Sequence, residues 1–196
     1  MLTGNLTMKM CKKEKLNVMK VVTQEDIANA PRENSDDRRG LVGCIPTYKI
    51  AGAAAAEGKG LEEVARVTQK FADNMATLAV AVRGATHPST GSMLADLGED
   101  EMEIGMGQHG EGGGVRVPMM SSKDTVATVA EALSKKLELK AGDKAFVMIN
   151  GCGATTMMEM LVLFKDTVEF LKPRAWKWWP AWWERSSPYR RPPASR

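Results

Sequence analysis

The chain has 196 residues, of which 43% are hydrophobic and 26% charged, as expected for a soluble globular protein of one domain or little more. Residues 173–196 contribute +5 to the net charge of +3, so the first 172 residues carry about −2 and offer no basic face for nucleic acid. The apolar runs are too short to cross a membrane, and three cysteines without C-x-x-C spacing exclude a disulfide or zinc framework. No signal peptide is evident, so we expect a reduced, cytoplasmic protein.

The first 39 residues predict a helix, a strand and a linker. Leu2, Leu6 and Met10 recur at near-helical spacing, and the valine-rich segment 16–23 is typical of a strand. Residues 24–39 are polar, which indicates a linker. An α/β domain does not normally begin with a helix followed by a strand.

Two helices and a strand are predicted next. Residues 40–56 are small and apolar and favour a buried helix, in which we expect Pro46 to cause a kink or a break. An amphipathic pattern predicts a helix over Leu61–Leu78, and Ala79–Val82 predicts a buried strand. His87 lies in the loop that follows, and we interpret it as structural or solvated.

The segment Gly98–Arg116, GEDEMEIGMGQHGEGGGVR, combines a short strand with a glycine-rich loop. Met102, Ile104 and Met106 alternate with polar or glycine residues, and this strand pattern leads directly to His109. Glycine permits positive φ angles and the close approach of a ligand. His109 is therefore a candidate reactive group, and a solvated loop histidine is the alternative that composition alone leaves open.

A further helix, strand and helix are predicted beyond this loop. Ser121 or Ser122 is placed to cap a helix that extends to Leu139. The continuous apolar run Ala145–Ile149 predicts a strand that is covered on both faces or lies centrally in a sheet. Residues 156–170 predict a helix, and its Met157, Met158 and Met160 indicate core packing more than a metal site.

The loop Asn150–Thr156, NGCGATT, follows the predicted strand and precedes a helix, as a phosphate-binding loop does. It lacks the Lys-Ser/Thr pair that contacts phosphate and magnesium in a P-loop. We therefore assign no nucleotide to it.

The tail, residues 173–196, has a different composition, with all five tryptophans and five of the nine prolines. It could be a membrane-interface or peptide-like tail, but we expect an aberrant, disordered segment produced by a frame error. Tryptophan has a single codon, so reading one base earlier converts Trp178-Trp179 and Trp182-Trp183 to valine and yields an ordinary strand sequence. Resequencing that finds the same frame in independent isolates would contradict this hypothesis.

Several short sequence motifs, taken in their order along the chain, resemble the dihydroxyacetone (glycerone) kinase family, in its K, or substrate-binding, subunit or domain. The resemblance covers roughly residues 1–172. The motifs on which the resemblance rests are RRGLVG (38–43), KIAGAAA (49–55), GKGLEEV (58–64), EMEIGMGQHGE (101–111) and GDKAFVMINGCGAT (142–155).

The resemblance implies roles for two residues of this chain. His109 matches the histidine that binds a ketose covalently as a hemiaminal. Thr3-Gly4-Asn5 occupies the place of a T-G-D motif of the family, whose aspartate takes part in substrate binding and acid/base chemistry. Asn5 can hydrogen-bond a hydroxyl but cannot take a proton. The family's second catalytic histidine belongs to a sequence motif further upstream that has no counterpart here. Glu111 is either a partner that orients His109 or a solvated carboxylate.

The resemblance also implies a fold and partners. We expect an α/β protein, in which a two-layer α/β second domain with a mixed sheet (38–172) follows the remnant of a three-layer α/β first domain and a linker (1–37). The implied activity is phosphoryl transfer to dihydroxyacetone or a similar short ketose. ATP or ADP with Mg²⁺ is expected on a partner L subunit or domain, with no cofactor bound by this chain. The intact family implies a homodimer, without nucleic-acid or membrane partners. A non-catalytic ketose-binding co-activator, or an inactive fragment, is the alternative.

Overall fold

The structure is a computed structural model that describes residues 2–30, 34, 37–174 and 177–181. The chain divides into two compact units. The first comprises Met1–Met119 with Ala132–Leu137, and the second comprises Met120–Glu131 with Glu138–Arg196. Both units combine helices with strands, which confirms the α/β class predicted from the sequence.

The described part of the first unit contains three complete α-helices and a three-stranded antiparallel sheet in the order β1-β2-β3. In β2 and β3, Met102 lies opposite Val117 and Ile104 lies opposite Val115. The elements are α1 Leu2–Lys13, α2 Cys44–Ala56, α3 Leu61–Asp73, β1 Val80–Ala81, β2 Glu101–Ile104 and β3 Val115–Pro118.

Helices α2 and α3 form where the sequence predicts helices, with three corrections. Helix α2 is not a buried helix, since only Thr47 and Ala54 of its residues are buried and Tyr48 is 72% exposed. Pro46 is the third residue of α2, where backbone N–H groups have no partner within the helix, so the helix continues through it without the expected break. Helix α3 ends at Asp73 and not at Leu78, because Asn74 closes it: its backbone N–H donates to Phe71 O and its side-chain amide donates to Lys70 O.

The predicted strand over 16–23 is not formed. Strand-like pairing in this part of the chain occurs at Asp26, which bridges Thr77 in parallel. The N–H of Thr77 donates to Glu25 O at 2.8 Å, and the N–H of Ile27 donates to Thr77 O at 3.1 Å. Among the described residues, the valine-rich segment belongs to no strand.

The interpretation of residues 24–39 as a linker is also wrong for the beginning of this segment. Glu25 and Asp26 are both 0% exposed. The Glu25 Oε1 atom accepts hydrogen bonds from the N–H groups of Leu41 (2.6 Å) and Gly43 (2.9 Å), at the beginning of α2. A segment that is polar in composition therefore supplies buried carboxylates that organise its surroundings.

The second unit contains a parallel pair of strands, β4 and β5, with Lys144 opposite Lys177 and Met148 opposite Ala181. Ser121 caps α4, because its Oγ accepts the N–H of Asp124 at 3.2 Å. The elements are α4 Ser122–Lys136, β4 Lys144–Met148, α5 Met157–Leu171, a 3-10 turn Lys172–Arg174 and β5 Lys177–Ala181, with the last residues of α4 assigned to the first unit.

Three expectations for the second unit need correction. Strand β4 is not covered on both faces, since Phe146 is 54% exposed, and Met158 is 76% exposed and does not pack in a core. Residues 177–181 form β5, so the expected disorder of the tail is wrong for this stretch, because strand pairing uses backbone groups that almost any side chain allows. The remainder of the tail, residues 175–176 and 182–196, lies outside the described residues.

Two glycines of the α2 region provide a matched test of the packing around Glu25. A Cβ at Gly43 would meet the Met75 side chain and lie 2.6 Å from Glu25 Oε1, whereas a Cβ at Gly52 meets nothing within 4 Å. We expect Gly43→Ala to lower the free energy of unfolding by about 1–3 kcal/mol. Gly52→Ala, inside the same helix, should raise it by about 0.5–1 kcal/mol. Urea denaturation of both variants is the measurement, and equal effects would contradict the assigned packing.

Candidate functional site

The glycine-rich loop that follows β2 carries His109. It turns at Gly105, whose φ is +98°, and a Cβ there would lie 2.6 Å from the Cβ of Ala28. The loop closes on itself, because the N–H of Gly107 donates to Glu111 O at 2.9 Å and the N–H of Gly110 donates to Gly107 O at 3.0 Å. The turn and the closure require glycine for space and for conformation.

Glu111 contacts His109 at two points. Its ring nitrogen Nδ1 lies 2.9 Å from Glu111 Oε1, and its backbone N–H donates to Glu111 Oε2 at 2.8 Å. The side chain of His109 is otherwise open to solvent, with 81% of its surface exposed. Glu111 therefore both contacts His109 and remains 48% exposed, so it combines features of the two alternatives that the sequence leaves open.

The electrostatics of this pair identify the tautomer of the neutral ring. The hydrogen bond from the His109 ring, followed by that from its backbone N–H, lowers the pKa of Glu111 to about 2. Glu111 is therefore ionised near neutral pH, and an ionised carboxylate only accepts hydrogen bonds. Nδ1 must then carry the proton, which leaves the lone pair on Nε2.

Arg39 ties both ends of the loop to the body of the first unit. Its Nη1 group donates to Glu111 O (3.2 Å) and Gly112 O (3.1 Å), and its Nη2 group donates to Gly105 O (2.9 Å). Its Nε donates to Asp26 Oδ2 at 2.7 Å. The sequence analysis assigned no role to Asp26 or Arg39, although Arg39 belongs to RRGLVG, one of the motifs on which the family resemblance rests.

Asn5 has no described hydrogen bond to this loop. Asn5 lies on α1, and its Oδ1 accepts a hydrogen bond from Lys20 Nζ at 2.7 Å. Among the described contacts, no hydrogen bond or ion pair connects Asn5 with His109. His87 lies in a turn of its own, where its Nδ1 is 3.0 Å from Ser89 Oγ, in agreement with a structural or solvated histidine.

The second glycine loop, 150–156, leads into α5. Thr156 and Glu159 form a capping box there, because the Thr156 N–H donates to Glu159 Oε2 at 2.7 Å and the Glu159 N–H donates to Thr156 Oγ1 at 3.3 Å. The chain thus supplies its own acceptors to this helix end. Within the described ranges, no three His, Cys, Asp or Glu side chains are grouped so as to hold a metal ion. No helix in that part of the chain has the length and hydropathy needed to cross a bilayer.

Comparison with solved structures finds similar folds in proteins of dihydroxyacetone metabolism. The dihydroxyacetone kinase operon co-activator Dha-DhaQ matches with a TM-score of 0.81 and 26% identity, over 89% of this chain and 54% of that one. The dihydroxyacetone kinase from C. freundii in complex with AMP-PNP and Mg²⁺ matches with a TM-score of 0.77 and 26% identity, over 88% of this chain and 32% of that one.

Comparison with curated sequences agrees. The dihydroxyacetone-binding subunit DhaK of PTS-dependent dihydroxyacetone kinase 1 from Listeria innocua is 39% identical over 157 residues, which are 80% of this chain and 48% of the relative. The triokinase/FMN cyclase of Rattus norvegicus is 30% identical over 181 residues, 90% of this chain and 31% of the relative. The chain thus spans about half the length, or less, of these relatives. The Dak1 domain model matches residues 1–184, and the chain therefore belongs to the Dak1 family.

Proposed function

We propose that this chain is the substrate-binding component of a dihydroxyacetone kinase and that His109 captures a short ketose covalently. The observation that carries the proposal is the contact between His109 Nδ1 and ionised Glu111, which leaves the Nε2 lone pair on an open ring. Membership of the Dak1 family and the dihydroxyacetone-binding subunits among its relatives support the choice of substrate.

The proposed step is addition to the C2 carbonyl of the ketose. The Nε2 lone pair forms a bond to C2, and the electrons of the C=O π bond move to oxygen, which takes a proton from water. The ring becomes positively charged, and the adjacent Glu111 carboxylate stabilises this charge until Nδ1 releases its proton to solvent. Protein and ketose thus combine without loss of atoms, and a polyol, which lacks a carbonyl, cannot form the adduct.

The phosphoryl donor is assigned to another protein or domain. In this proposal ATP or ADP with Mg²⁺ binds to an L subunit or domain and supplies the phosphoryl group for a terminal hydroxyl of the captured ketose. The described residues support this division, because loop 150–156 lacks a P-loop lysine and its helix end is capped by Glu159. The adduct holds the ketose in place for the transfer.

A second candidate function, a ketose-binding co-activator without catalysis, is favoured by one specific observation. Asn5, where the family has an aspartate, accepts a hydrogen bond from Lys20 and cannot serve as a general base. The match to the co-activator Dha-DhaQ is compatible with this alternative. The two functions share ketose capture and differ in phosphoryl transfer.

Ketose capture is tested with the full chain and dihydroxyacetone labelled with carbon-13 at C2. We expect the C2 resonance to move from the carbonyl region to the tetrahedral region and the intact mass to rise by one ketose. His109→Ala should abolish both signals, because it removes the nucleophile. His87→Ala, which changes the other of the two histidines, is the matched control and should leave both unchanged. An adduct that persists in His109→Ala would contradict the proposal.

Phosphorylation separates the kinase from the co-activator. With an L protein and donor supplied, a kinase component yields ketose phosphate, and Asn5→Asp should raise the rate by roughly 10²–10⁴-fold because it restores a proton acceptor. Product formation is measured by phosphorus NMR. Adduct formation without phosphorylation, in both the original chain and Asn5→Asp, would favour the co-activator.

The Glu111 carboxyl group should titrate far below an ordinary glutamate. Its folded-state pKa is depressed to about 2, so its contact with His109 stabilises the fold above the ordinary pKa of about 4.3 and is lost as the pH falls through about 2. At about pH 4 the carboxyl carbon-13 resonance should remain that of an ionised group. In His109→Ala the midpoint should rise toward the ordinary value, with His87→Ala as the unchanged control. An ordinary midpoint in the original chain would refute the assigned contact.

A further inference from the structure

We propose that Arg39, held by the buried Asp26, is a positioning residue that sets the tautomer and orientation of His109. The inference rests on the proposed function in one respect: orientation matters chemically only if Nε2 attacks a ketose. Its structural part, the dependence of the His109–Glu111 pair on Arg39, can be measured without any ligand.

The loop that Arg39 contacts is rich in glycine. Six of the ten residues from Gly105 to Gly114 are glycine. Such a segment loses much conformational entropy when it is ordered, since glycine has the widest range of backbone angles. Arg39 donates to the carbonyl groups of Gly105, Glu111 and Gly112, which bracket His109 on both sides.

Asp26 holds Arg39 in place. The carboxylate of Asp26 is fully buried, and both of its oxygens are used: Oδ2 accepts Arg39 Nε at 2.7 Å and Oδ1 accepts the N–H of Ala28 at 3.0 Å. The Asp26 N–H also donates to Arg39 O at 3.1 Å. Because a guanidinium is planar, fixing its Nε edge fixes the direction of its remaining N–H groups. Asp26 thereby aims the donors of Arg39 at the loop.

Arg39 is connected to the histidine ring through Glu111. It donates a hydrogen bond to the backbone carbonyl of Glu111, and the side chain of that same residue contacts His109 Nδ1. Arg39 and the Glu111 side chain both lie close to Gly107, where a Cβ would lie 2.6 Å from Arg39 Nη1 and would meet the Glu111 carboxylate. Displacing the backbone of Glu111 would carry its carboxylate away from Nδ1.

The test uses Arg39→Lys, which keeps a cation for the buried Asp26 but cannot span the three carbonyl groups. We expect nitrogen-15 spectra of the neutral His109 ring to lose the predominance of the Nδ1–H tautomer, and the pKa of Glu111 to rise from about 2 toward its ordinary value. The equilibrium constant for the dihydroxyacetone adduct should fall roughly 10- to 100-fold. Arg116→Lys is the matched control. The Arg116 Nε atom lies 3.8 Å from Oε2 of the buried Glu103, so this arginine also faces a buried carboxylate, but it has no described contact with the loop.

Two results would overturn the proposal. One is an Arg39→Lys protein that is folded and retains both the wild-type tautomer and the depressed pKa of Glu111. The other is read in the unaltered chain, so it does not depend on a variant that folds: guanidinium protons of Arg39 that exchange with water as fast as those of the exposed Arg66. Slow exchange at Arg39 relative to Arg66 is the expected result.

The outcomes keep this inference separate from the proposed function. If the unaltered chain forms no adduct while Arg39→Lys shifts the tautomer and the pKa, ketose capture fails and the positioning role stands. If the adduct forms equally well in the unaltered chain and in Arg39→Lys, and the tautomer is unchanged, the positioning role fails and ketose capture stands.

Discussion

The buried ion pair between Asp26 and Arg39 is the interaction on which the candidate site depends. Asp26 is fully buried, and Arg39 retains 18% of its side-chain exposure. Taking a carboxylate out of water is costly, and removing one partner of such a pair typically destabilises a protein by about 3–5 kcal/mol. The pair is therefore retained or lost as a unit. While it persists, it fixes a guanidinium whose other donors reach three carbonyl groups of the His109 loop.

One short extended stretch serves both the helical part and the loop of the first unit. Successive side chains of an extended backbone point to opposite sides, so the neighbouring Glu25 and Asp26 serve different partners. Glu25 accepts the N–H groups of Leu41 and Gly43, where α2 begins, while Asp26 binds Arg39. The beginning of a helix and the anchor of the loop are thus set by two consecutive carboxylates.

The contact between His109 and Glu111 joins residues that are close in the sequence, whereas Arg39, which anchors their loop, is distant in the sequence. His109 and Glu111 are two residues apart and would meet in many loop conformations, but a loop so rich in glycine would also visit many in which they do not. Anchoring at Gly105 and at Glu111–Gly112 restricts these alternatives. A carboxylate held at Nδ1 keeps the lone pair on Nε2, and for addition to a carbonyl the position of that lone pair decides whether reaction can begin.

Local patterns in the sequence were sufficient for several elements. The amphipathic spacing of α3, the Ser121 cap of α4 and the helix that follows Thr156 depend on neighbours within one or two turns, and the glycine-rich loop with its histidine could be read directly. The helix beginning at Cys44 was also predicted, apart from its burial and the effect of Pro46, which depended on how many residues precede it in the helix.

What required the tertiary structure was the role of charged residues whose partners are distant in the chain. Residues 24–39 have the composition of a linker, and burial of Glu25 and Asp26 becomes favourable only because donors 13 to 18 positions away are brought to them. Arg39 meets the loop across 66 to 73 positions. Sequence alone thus specified the candidate histidine and its glycine-rich loop, whereas the folded chain specified what holds them, because a charge can be buried only where its partner already lies.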